Sequence, residues 1–138
     1  MNLEINLPRK LFNQLLHLAQ ISPDQEVCGL IAEKQGLPIS CYPIENAANT
    51  PENRFLLNSE QQIAAIRQMR ENGENLYAIY HSHPKTPAFP SKIDIEMAAY
   101  PEAIYLIISL NTKGILEMRA FRLMNKAVQE LPLVLIEA

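Results

Sequence analysis

Two of the three histidines in the chain, His81 and His83, stand two residues apart at the end of a β-rich run over residues 76–83. In extended backbone, side chains two apart point to the same face, so the two imidazoles converge. Paired imidazoles suit a divalent metal, and a catalytic zinc typically takes three protein ligands while keeping a fourth position open. Asp94 is the best-placed third donor. It lies just past a proline-stiffened loop, in the first turn of a following helix, where the chain can bring its carboxylate back over the strand end. Glu96 and Glu102 are near, but Glu96 points about 200° around the helix from Asp94. A purely structural account stands beside this one. His81 and His83 can be a hydrogen-bonded polar strand end, and Ser91 and Asp94 have capping-box spacing, the serine oxygen accepting from the backbone while the acid reaches back.

Cys28 offers a different chemistry, because a thiol near a histidine can act as a nucleophile, with Glu26 orienting the imidazole. Set among Val27, Gly29, Leu30 and Ile31, it equally reads as a small buried hydrophobe. Cys28 and Cys41 lack CxxC spacing and make no disulfide framework. Glycine occurs only at positions 29, 36, 73 and 114. Phosphate loops, dinucleotide-binding turns and serine elbows are therefore excluded.

A chain of 138 residues, 48% hydrophobic and 20% charged, is sized for one domain, so residues 1–138 are read as a single unit. Folding at this length buries roughly 68% of the surface the unfolded chain exposes. No metal is needed merely to build the core, and any metal must be functional. Twelve basic residues against fifteen acidic ones leave a net charge of −3, which argues against nucleic acid as a partner. No basic stretch followed by an apolar run opens the chain, and no apolar stretch is long enough to span a bilayer. We therefore expect a cytoplasmic protein without a membrane partner. The oligomeric state is left open, a homodimer included.

The elements that must position these side chains follow from periodicity. Residues 2–7 alternate as a short strand, and Pro8 sits at the first turn of an amphipathic helix whose Leu11, Leu15 and Leu18 share a face. Ser22, Pro23 and Asp24 break it. Residues 27–32 read as a buried strand, joined through a turn at Gln35 and Gly36 to another near 39–44. After an irregular polar segment, residues 55–57 can pair briefly with a sheet. A helix then begins near Ser59, with a Ser59–Gln62 capping box, an inward stripe of Ile63, Ile66 and Met69, and Gly73 as its stop. Beyond the 76–83 strand, Pro84, Pro87 and Pro90 stiffen the loop, and residues 91–99 form a helix ended by Tyr100 and Pro101. Residues 104–110 read as a strand covered on both faces, with 116–123 as its hairpin partner across a turn at 111–114. The last fifteen residues are ambiguous between strand and helix. This order predicts a mixed sheet with helices packed on it, an α/β or α+β domain.

The run His81, Ser82, His83, Pro84, then six residues, Ser91, two more and Asp94 resembles the JAMM signature of the JAB1/MPN/Mov34 metalloprotease family. Glu26-Val27-Cys28-Gly29-Leu30-Ile31 resembles the family's acidic segment after its first helix, and Ala98-Ala99-Tyr100-Pro101 with Tyr105-Leu106-Ile107 resembles its compact bacterial branch. The likeness runs from Leu7 to about Arg122. It implies an α/β fold of the cytidine-deaminase-like sandwich type, a central mixed β-sheet flanked by helices. It also implies that His81, His83 and Asp94 hold Zn²⁺, that Glu26 is the general base toward an activated water, and that Ser91 donates a hydrogen bond to the developing oxyanion. Nothing in the residues themselves separates Glu26 from Asp24 or Glu33; its role comes from the family pattern.

The family likeness implies cleavage of amide bonds, isopeptide or peptide, after the terminal Gly-Gly of ubiquitin-like proteins. No histidine follows His83 and no cysteine follows Cys41, so the zinc-bearing insertions of eukaryotic deubiquitinating members have no counterpart. The expected substrate is then the tail of a ubiquitin-like sulfur-carrier protein, held in a groove beside Glu26 and the 85–90 loop. Two other classes are weighed against it. One is a non-catalytic scaffold that binds a ubiquitin-like partner; the other is kinship with DNA-repair-associated RadC proteins, disfavoured by the acidic charge and by a start almost directly in the catalytic domain.

Overall fold

The computed structural model describes residues 4–110 and 117–137. Among these, eleven elements follow one another: β1 Ile5–Pro8, α1 Arg9–Gln20, β2 Cys28–Lys34, β3 Leu37–Ile44, α2 Ser59–Glu71, β4 Asn75–His83, α3 Lys92–Met97, β5 Ile104–Ser109, β6 Glu117–Met124, β7 Ala127–Leu131 and β8 Leu133–Ile136. Six strands make the main sheet in the order β3-β2-β4-β5-β6-β7, and β1 pairs with β8 in a separate ribbon. Only β4 and β5 run parallel within the main sheet. The sheet is therefore mixed, as the order of elements predicts, and its flanking helices give the α/β sandwich that the family likeness implies.

Alternation along the central strands feeds two apolar cores. Ala78 and Tyr80 of β4, with Ile104, Leu106 and Ile108 of β5, face α1, β1 and β8. Ile79 of β4 and Tyr105 and Ile107 of β5 face the side covered by α2 and α3. His81 and His83 continue the series of Ile79, so both emerge on the α2/α3 side. Every residue of β5 is buried, which explains its lack of alternation in the sequence.

One close approach sets how tightly β2 and β4 lie together. A Cβ on Gly29 would stand 2.5 Å from the Tyr80 ring and from the carbonyl oxygen of Tyr42. Only hydrogen fits there, and the ring of Tyr80 lies over the bare backbone of its registered partner.

Several expectations need correction. The N-cap of α2 is Asn58, whose Oδ1 accepts from the Gln61 N–H at 3.0 Å, not Ser59. Gln62 instead bonds the Tyr100 hydroxyl. The phase of α2 buries Ala65 and Met69, with Ile66 half-buried, and leaves Ile63 60% exposed. Helix α3 ends at Met97 rather than at residue 99, because Ala98 is extended and the Tyr100 N–H turns to the Tyr105 hydroxyl. The ambiguous C-terminal stretch is two strands separated by Pro132, whose carbonyl accepts from Ile5 N–H at 2.8 Å. Residues 2–3 of the first expected strand and the 111–114 turn lie outside the described residues.

Candidate metal centre

Strand β4 ends at His83, and the 85–90 loop folds back so that the Pro87 carbonyl oxygen meets His83 Nδ1 at 2.8 Å. A carbonyl only accepts, so Nδ1 carries the proton and a neutral His83 presents a bare lone pair at Nε2. That Nε2 stands 3.0 Å from His81 Nε2 and 3.1 Å from Asp94 Oδ2, while His81 Nε2 is also 3.1 Å from the same oxygen. All three residues are buried. Two ring nitrogens and a carboxylate oxygen at the corners of a near-equilateral triangle suit a cation between them. A tetrahedral ion with ligand bonds of about 2.0 Å spaces its donors about 3.3 Å apart, close to the edges found here.

Helix α3 supplies the acid through its start. Ser91 is the N-cap, its Oγ accepting from Asp94 N–H at 3.0 Å, and Asp94 Oδ2 accepts from Ser91 N–H at 2.9 Å. The capping box is thus realised, and the same Asp94 oxygen that closes it faces both histidines. Burial by itself would raise Asp94, but its hydrogen bonds with His81 and His83 outweigh that and hold the carboxyl well below the usual carboxylate range. Burial likewise depresses His81, which stacks on Phe55 with ring centroids 4.3 Å apart. His83 goes the other way: burial lowers it, and the bonds to Asp94 and Pro87 more than compensate.

Glu26 lies on the same side of the sheet, within 4.8 Å of the ligand atoms of both histidines. It is 5% exposed, and its Oε1 is buried without a hydrogen-bond partner. Burial pushes its carboxyl up to about 8, with His83 pulling down and Asp94 pushing up more weakly. An orphaned, buried carboxylate oxygen beside a cluster of donors fits a place built for a further charged or polar group. Cys28 pairs across the strands with His81, but its Sγ donates to the Ile44 carbonyl at 3.4 Å, and burial followed by the nearby Glu26 pushes its thiol up to about 12. It stays protonated, as a buried hydrophobe does.

A cavity of about 290 Å³ opens at His81 and Asp94, walled by Phe55, Leu57, Ile93 and Met97. Neither Glu26 nor the 85–90 loop lines it, so the apolar hollow lies on the α2/α3 side and not at the groove expected beside them. Two positions escaped the sequence reading. Ser82 sits between the histidines facing the other way, and its Oγ accepts Val27 N–H at 2.8 Å, tying the residue after Glu26 to β4. Phe55, placed only as a strand residue, covers His81. Nothing local marks either one.

Comparison with known proteins places the chain in a family. The family model described as prokaryotic homologs of the JAB domain matches residues 8–124. A CysO-cysteine peptidase of Mycobacterium tuberculosis is 34% identical over 123 residues, covering 88% of this chain and 83% of that protein. A desampylase of Haloferax volcanii is 32% identical over 89 residues, 63% of this chain and 64% of its own length. The solution structure of a protein from Desulfitobacterium hafniense superposes with a TM-score of 0.86 at 31% identity, covering 97% of this chain and 94% of that one. Fold and relatives together define a JAMM-type isopeptidase domain. The chain belongs to the family of prokaryotic homologs of the JAB domain.

Proposed function

We propose that this protein hydrolyses the amide bond after the C-terminal Gly-Gly of a ubiquitin-like sulfur-carrier protein, using Zn²⁺ held by His81, His83 and Asp94. The observation that carries this is the triangle of two Nε2 atoms and one Oδ2, with edges of 3.0, 3.1 and 3.1 Å. The relatives named as CysO-cysteine peptidase and desampylase support the substrate class. When bound, zinc supplies a Lewis acid for the scissile carbonyl and makes water acidic enough to attack near neutral pH.

The chain's own groups do the rest. Glu26 takes a proton from the attacking water and returns it to the departing nitrogen, which cannot leave as an amide anion. Ser91 Oγ accepts the Asp94 N–H on one lone pair, and its own proton remains to be donated to the oxygen that gains charge. Phe55 shields one face of His81 from water. Leu57, Ile93 and Met97 offer an apolar wall to whatever part of the substrate lies beyond the scissile bond.

Incubating the zinc-loaded protein with carrier proteins extended beyond Gly-Gly, by a peptide or by a single cysteine, should yield a mass loss corresponding to the extension. Carriers left intact with zinc bound would instead favour a binding scaffold.

A further inference from the structure

The carboxamide of Asn46 makes four hydrogen bonds, each 3.0 Å long and each to backbone. Nδ2 donates to the carbonyls of Glu26 and Arg54, and Oδ1 accepts from the N–H groups of Ala48 and Leu56. Two carbonyls on one side and two N–H groups on the other leave a single orientation for the amide, with its main hydrogen-bonding capacity filled. Phe55 is the one residue between Arg54 and Leu56, so a single side chain grips the backbone on both sides of the ring that stacks on His81. The same loop reaches Glu26 from its other end, where Glu26 N–H donates to the Pro51 carbonyl at 2.7 Å. Asn46 itself is fixed by its bridge to Leu57.

We propose that Asn46 is a positioning residue: it locks the peptide of Glu26 and the Phe55 ring into one rigid unit over His81, so that the base and the histidine keep a constant separation. The role given to Glu26 rests on the function proposed above; the clamp itself does not. Glu26 precedes β2, outside the ladder that orders Cys28 onward, and no hydrogen bond holds its Oε1. Its aim therefore comes from its backbone, where Pro51 holds the N–H and the Asn46 side chain holds the carbonyl, while Val27 beside it is tied to Ser82 of β4.

The test compares the full-length wild type with Asn46→Ala, which removes all four bonds, and Asn46→Asp, which keeps the acceptor half and sets a carboxylate oxygen against two carbonyls. Leu135→Ala, in β8 on the far side of the sheet, serves as a control for loss of stability alone. For both Asn46 variants we expect zinc content equal to wild type, kcat on a carrier-tail substrate lower by on the order of tenfold to hundredfold, and KM little changed. Asn46→Ala should also lose the nuclear Overhauser contacts between the Phe55 and His81 rings. Those contacts need no substrate, so they decide the matter even if no carrier tail is ever cleaved. Should Asn46→Ala fail to fold, Asn46→Asp carries the same comparison through slower kcat and faster exchange of the Glu26 amide. Unchanged ring contacts together with wild-type exchange at Glu26, or an equal fall in kcat for Leu135→Ala, would overturn the proposal.

Discussion

Ser91 and Asp94 close a reciprocal capping box, and the oxygen of Asp94 that completes it, Oδ2, is the one standing 3.1 Å from both histidine Nε2 atoms. The start of this six-residue helix thereby aims the carboxylate at the two histidines. The backbone N–H of Ser91 orients the carboxylate and helps keep it charged, so Asp94 is in place without any bound ion.

This pre-set geometry makes metal loss specific. His83→Ala and Asp94→Asn should each lower zinc affinity by more than about 100-fold, since even outer-shell partners of metal ligands are worth 10–100-fold. Elemental analysis after gel filtration should find zinc in the wild type and almost none in either variant. The rise in Tm on adding zinc should vanish with it. Stoichiometric zinc in Asp94→Asn would show that the acid is not a ligand.

Glu26→Gln should keep its zinc and lose turnover by about 10²–10⁴-fold, the usual contribution of a positioned acid–base group. Full activity in that variant would remove Glu26 from the mechanism.

The same carboxyl gives a pH prediction for the chelated protein. Burial raises it from 4.5 to about 8, so its neutral form is favoured by folding. Its contribution to stability is complete below 4.5 and is lost as the pH climbs toward 8, where the folded state must also ionise. A cation beside it favours the charged form, so zinc should lower this pKa. Carboxyl ¹³C shifts of Glu26, titrated with and without zinc, would read the change; an identical midpoint in both would contradict the proposed closeness of metal and base.

Cys28 should be silent at neutral pH. With its thiol pushed up to about 12, iodoacetamide should label it only after unfolding, and Cys28→Ala should retain wild-type kcat. Rapid labelling that abolished turnover would revive the thiol as nucleophile.

Gly29→Ala should destabilise the fold by at least about 1–3 kcal/mol in urea unfolding, because the new methyl would meet the Tyr80 ring and the Tyr42 carbonyl at 2.5 Å. Backbone and a packed ring cannot step aside cheaply. A variant as stable as wild type would mean that Tyr80 does not lie over Gly29.

By itself the sequence determined what depends on neighbours along the chain. The i, i+2 relation put His81 and His83 on one face, prolines stiffened the turn after them, and serine three before an acid capped α3. Such local signals are degenerate: Asn58 outcompeted Ser59 as a cap, and Ile63 fell on the wrong side of a helix whose phase is decided by packing. The residues alone did not separate Glu26 from Asp24 or Glu33; the family pattern singled it out, and it took the folded chain to show that it reaches the histidines and that Phe55 covers His81. Glu26, Asn46, Phe55 and His81 come together because β2 lies beside β4 and the 46–57 segment crosses the end of both, and pairing between distant strands leaves no periodic trace in the residues it joins.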